Sequence, residues 1–123
     1  MNNRPVSIDF RTIRMPMTAI LSILHRISGV LLFLGMPILL WMFGRSLGST
    51  ADFQDLQLLL DNILFKLIFF GILAALIYHI IAGTKHLLMD LGIGETEQGS
   101  KIASRMVLVA SLISIIILGV KLL

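Results

Sequence analysis

Histidine has the widest chemical repertoire in this chain, and it occurs at three positions, His25, His79 and His86. Two of them close a long apolar run. In YHIIAGTKHLLMD, from Tyr78 to Asp90, the residues His79, Gly83, His86 and Asp90 follow one another at spacings of four, three and four. On a helix that spacing makes a single stripe. His79 lies roughly one turn inside the apolar segment, and His86 is about 10 Å further along the axis. Gly83 has no side chain, so something flat or bulky can approach the backbone there. An ionisable residue inside a membrane segment points to function. Imidazole beside a glycine gap suits a porphyrin iron. A cross-helix hydrogen bond or a proton relay suits His79 equally well, and the residues alone leave these readings open. His86 reads as an interfacial polar residue, able to pair with Asp90.

A second polar group stands in SILHRISG. Ser22, His25, Arg26 and Gly29 are spaced by three, one and three and share one helix face. A hydroxyl, an imidazole and a guanidinium can hold a small polar head group such as a quinone carbonyl, or an anionic propionate, which suits the planar fork of arginine. The plainer reading is an arginine reaching lipid phosphate beside two interfacial polar residues.

These groups sit in a chain built for lipid. Of 123 residues, 57% are hydrophobic and 14% charged, where soluble domains carry roughly 25% charge. The mean hydropathy is +0.97, and a chain this short cannot bury so much apolar surface in its own core. The length sets one domain, residues 1–123, as the expectation. With no cysteine, disulfides, thiolate metal sites and cysteine nucleophiles are excluded within the chain. The net charge of +3 forms no cluster of the kind that binds nucleic acid. No glycine-rich phosphate loop, catalytic carboxylate pair or hydrolytic triad is visible, and the seven Met residues read as packing and lipid contact.

Three segments reach spanning length of about 20 residues. They cover approximately 20–43, 63–83 and 103–123. The first contains ISGVLLFLGMPILLWMF, with Pro37 as a tolerated break and Trp41 near an interface. The second continues as helix toward Asp90. The third, around MVLVASLISIIILGV, needs its flanks to span. DLQLLLDNIL, before the second, reads as a short interfacial helix, and Asp52, Asp55 and Asp61 as a solvated face. The N-terminal stretch MNNRPVSIDFRTIRMP is polar and holds acid, so it reads as a short cytoplasmic arm and not a signal peptide. Lys and Arg concentrate before the first segment and between the second and third: Arg4, Arg11, Arg14 and Arg26, then Lys85, Lys101 and Arg105. That bias puts the N-terminus and second loop in the cytoplasm and the C-terminus outside. His25, Arg26, His79 and His86 then lie toward one membrane face. The fold expected is an all-α membrane protein of three transmembrane helices with a short N-terminal arm.

Two separated motifs, RPVSIDFRTIRMPMTAILSILHRISGV and HIIAGTKHLLMD, resemble the signatures of the cytochrome b membrane-anchor subunits of bacterial succinate dehydrogenase, complex II: an RP start with S-x-x-H-R-x-[ST]-G, and H-x-x-x-G-x-[KR]-H-L-x-x-D. The resemblance covers nearly the whole chain. It implies that His79 is an axial ligand to the iron of haem b and that Ser22 and Arg26 bind ubiquinone. It also implies that His25 and Arg26 lie near the haem propionates. Gly83, Lys85, His86 and Asp90 belong to the second motif without an assigned role. Lys85 stands where the motif usually has arginine; it keeps the charge and loses the fork. The implied partners are a second small membrane anchor supplying the other haem ligand, an iron–sulfur subunit, a flavoprotein subunit and membrane lipid, but no nucleic acid. The implied location is the bacterial inner membrane. The chain by itself is then no catalyst; it serves electron transfer from succinate to quinone. The rival expectations are a haem-free structural anchor of a related succinate or fumarate oxidoreductase, and a small proton-conducting bundle.

Overall fold

A computed structural model describes residues 17–123. The arm expected over the first sixteen residues, with its part of the first motif, lies outside the described residues. Four helices follow in order: α1 (Met17–Gly48), α2 (Thr50–Leu60), α3 (Ile63–Asp90) and α4 (Glu97–Leu122). No strand occurs among the described residues. Helices α1, α3 and α4 are long and apolar enough to cross a membrane. At 32, 28 and 26 residues they measure about 48, 42 and 39 Å, more than the roughly 30 Å hydrocarbon core. Their ends therefore extend past the apolar layer, where polar side chains can be solvated.

The breaks between helices are written in local chemistry. The Ser49 side chain accepts from the Asp52 amide at 3.0 Å and starts α2. Asn62 Oδ1 accepts from the Leu64 and Phe65 amides at 3.0 and 3.2 Å and starts α3. Gly92 and Gly94, with φ of +87° and +73°, turn the chain after α3, a conformation that side chains disfavour. Thr96 Oγ1 then accepts from the Gly99 amide at 3.0 Å and opens α4.

Three expectations are adjusted. The interfacial helix runs from Thr50 to Leu60 and so begins earlier than DLQLLLDNIL, because the Ser49 cap recruits the polar turn. Its acids are also not merely solvated: Arg45 meets Asp52 at 3.1 Å and Asp55 at 3.5 Å. Helix α4 likewise begins well before the apolar stretch, since Thr96 caps it and Glu97 pairs with Lys101 at 3.6 Å. Pro37 sits inside α1 without ending it.

Helices α1 and α3 pack antiparallel, residue numbers rising on one as they fall on the other. Near one end Leu21 packs with Ala82 and with Val107 of α4; further along, Leu32 packs with Ile72 and Ala75. Small residues bring the backbones close. The outer faces stay apolar and uncovered within the chain: Phe33 is 79% exposed and Val120 80%. Surface of that kind is stable against lipid or other membrane subunits, not against water.

Candidate functional site

The antiparallel register of α1 and α3 sets His25 beside His79. Their rings stack with centroids 4.1 Å apart and planes 13° from parallel. His86 continues the series, its ring centroid 6.4 Å from that of His25 and 6° from parallel. All three histidines of the chain are thus gathered from two helices into one cluster.

Two glycines make the close approach possible. A Cβ added to Gly29 would stand 3.3 Å from His79 Cε1, and one added to Gly83 would stand 3.3 Å from His25 Nε2. Each helix offers a bare backbone to the histidine of the other. The gap expected at Gly83 exists, but the ring it receives is that of His25.

A residue to which the sequence reading gave no role lies at the centre. Ser28 is buried, 4% exposed. Its hydroxyl donates to the His25 carbonyl at 2.6 Å and sits 2.9 Å from His79 Nδ1. Its signal was present as the [ST] position of the first motif; what pattern could not tell is which residue it faces across the helix pair. Tyr78, next to His79, donates its hydroxyl to the Leu21 carbonyl at 2.8 Å and ties α3 to α1 beside the cluster. His25 Nε2 is buried with no hydrogen-bond partner among the described residues.

On the other side of His25 opens a cavity of about 360 Å³. Ser22, His25 and Arg26 of α1 line it together with Lys85 and His86 of α3 and Ser100 of α4. Ser22 and Arg26 are exposed and Lys85 is half-buried, so two cations line one concavity together with the hydroxyls of Ser22 and Ser100. His79 does not line it; it lies behind His25. Asp90 is exposed and forms no ion pair with His86 among the described residues, so the pairing expected for those two is not made. No group of three or more His, Asp or Glu side chains arranged to hold a metal ion occurs among the described residues.

A multi-pass helical membrane protein is defined by these features, with an imidazole cluster between two spans and a cationic cavity beside it. The chain belongs to the succinate dehydrogenase/fumarate reductase transmembrane subunit family, whose pattern matches residues 1–118. It is 43% identical over 118 residues to the succinate dehydrogenase cytochrome b556 subunit of Coxiella burnetii, covering 95% of this chain and 94% of that one. It is 36% identical over 100 residues to the subunit of the same name from Paracoccus denitrificans, covering 80% and 77%. To the succinate dehydrogenase cytochrome b560 subunit of Reclinomonas americana it is 35% identical over 95 residues, covering 73% and 66%.

Proposed function

We propose that the chain is the cytochrome b anchor of a succinate:ubiquinone oxidoreductase, co-ligating haem b through His79 and contributing Ser22 and Arg26 to the ubiquinone site. The observation that carries this reading is the juxtaposition of the His25–His79 stack with the cavity holding Ser22 and Arg26. A b-type cytochrome needs a neutral imidazole in an apolar setting, and a quinone site needs donors for its carbonyls. Here the two requirements meet at neighbouring positions of one helix pair.

The residues present fit the haem. His79 is half-buried between apolar helices, one ring nitrogen is engaged by Ser28, and the other is left for iron. His79 would be this chain's ligand to the haem iron, with a further ligand supplied by a sister membrane anchor. A bound haem b supplies one-electron storage and transfer. Arg26 and His25 lie on the cavity side, where a propionate carboxylate can be neutralised by the guanidinium. Ser22 donates to one quinone carbonyl, and Arg26 orients the head group and favours negative charge on it. Lys85, from the opposite wall, adds a second positive charge. Gly83 admits His25, and His86 extends the imidazole series toward the cavity. The chain lies in the bacterial inner membrane, N-terminus inside, and docks an iron–sulfur subunit and a flavoprotein subunit there.

The test uses the purified complex. Dithionite reduction gives a b-type absorption band that His79→Ala removes or displaces. Arg26→Ala lowers succinate–quinone reductase activity by tenfold or more, on the order of 1.4 kcal/mol, while succinate oxidation with a soluble dye acceptor is retained. Absence of the band in the native complex leaves the haem-free anchor. Quinone reduction unchanged in Arg26→Ala removes the site and returns the proton-conducting bundle to consideration.

A further inference from the structure

The surroundings of His79 determine more than its position. A serine hydroxyl has one proton and two acceptor lone pairs. Ser28 is committed as donor to the His25 carbonyl at 2.6 Å, a short bond that uses that proton. Toward His79 Nδ1, 2.9 Å away, the same oxygen can therefore only accept. That pairing places the hydrogen on Nδ1. A neutral imidazole with its proton on Nδ1 has a bare lone pair on Nε2, the form that binds a metal.

We propose that Ser28 is the positioning residue for His79. By accepting the Nδ1 proton it selects the tautomer with a free Nε2, orients the ring, and sets the electron-donating strength of the imidazole toward iron. The inference rests on the reading of His79 as a haem ligand and deepens it. Three features of the structure support it independently. Ser28 is buried, so water cannot substitute for its hydroxyl. Gly29, the next residue, leaves the space in which the ring reaches Ser28, its absent Cβ standing only 3.3 Å from His79 Cε1. The backbone carbonyl of His25 can only accept, so a contact of 2.6 Å with it favours the donor orientation of the Ser28 hydroxyl. Partners at the remote nitrogen of a ligating histidine fix its tautomer and raise its basicity. A more basic imidazole favours ferric over ferrous iron, so the Ser28 bond holds the haem potential down.

The experiment compares Ser28→Ala, Ser28→Thr and Ser104→Ala in the intact purified complex, by redox titration of the b-type band and by low-temperature EPR of the oxidised haem. Ser104 is also buried and, among the described residues, its hydroxyl bonds only to a backbone carbonyl of its own helix, that of Ser100 at 2.8 Å. It therefore reports what losing a buried hydroxyl does by itself. The expected result is an upward shift of the haem midpoint potential and altered g-values in Ser28→Ala, a return toward native values in Ser28→Thr, and native values in Ser104→Ala. A native potential and native g-values in Ser28→Ala overturn the proposal, as does an equal shift in Ser104→Ala. Failure of the underlying reading looks different: the native complex then shows no b-type band, or one that His79→Ala leaves untouched.

Discussion

At the scale of single residues, the site works by subtraction as much as by addition. His79 lies close against α1 at position 29, which has no side chain. A methyl there would stand 3.3 Å from the ring, closer than ordinary van der Waals contact, and would displace the imidazole by a few tenths of an ångström. On the proposed ligation of haem by His79, Gly29→Ala is therefore expected to change the haem EPR signal, at a stability cost of about 1–3 kcal/mol. Spectra of the purified variant that match the native ones would show that the ring has slack at this point. The helical spacing made His79, Gly83 and His86 legible as one stripe. It could not show that His25 takes the space at Gly83, because that contact joins residues far apart in the chain.

At the scale of elements, α1 and α3 hold the cluster through a seam of small residues facing branched ones. Gly35 is the tightest point: an added Cβ would fall 2.8, 2.9 and 3.0 Å from three atoms of the Ile72 side chain. Gly35→Ala is expected to destabilise the helix pair by about 1–3 kcal/mol through overpacking. Ile72→Ala alone leaves a cavity, at about 2–5 kcal/mol. Together the two changes should cost less than their sum, since the new methyl occupies space the isoleucine has left. Thermal inactivation of the four complexes closes the cycle; strict additivity would mean the two side chains do not meet. By contrast, the pairs of Arg45 with Asp52 and Asp55 are solvent-exposed, and such bonds contribute only about 0–1 kcal/mol. Apolar seam packing, not surface charge, positions the site. The helices themselves were readable from hydropathy, while their starts followed from caps at Ser49, Asn62 and Thr96 that lie outside the apolar runs.

At the scale of the whole molecule, the chain is unfinished by itself. Its apolar outer faces need lipid or sister subunits. The charge bias predicts that the turn around Gly94 lies in the cytoplasm and that the start of α2 lies outside. The chain has no cysteine, so single-cysteine labelling has no background from it. Thr50→Cys should react with a membrane-impermeant maleimide added to intact spheroplasts. Glu95→Cys should react only in inverted vesicles. The opposite pattern would invert the proposed topology and put the cationic cavity on the outer face.

What the sequence determined alone were the properties that depend on neighbours within about one helical turn: three apolar spans, the polar stripe on α3, the hydroxyl–imidazole–guanidinium face on α1, and a common membrane end for both. Those follow from helix periodicity and from the energy of placing polar groups in lipid. The tertiary structure alone decided which of these groups touch. The register of α1 against α3 is set by how Gly29, Gly35 and Gly83 admit side chains from the opposite helix, a steric fit between residues some fifty positions apart for Ser28 and His79. That fit puts Ser28 on the nitrogen of His79 and His25 between the other two histidines. Periodicity along one helix carries no information about such a pairing.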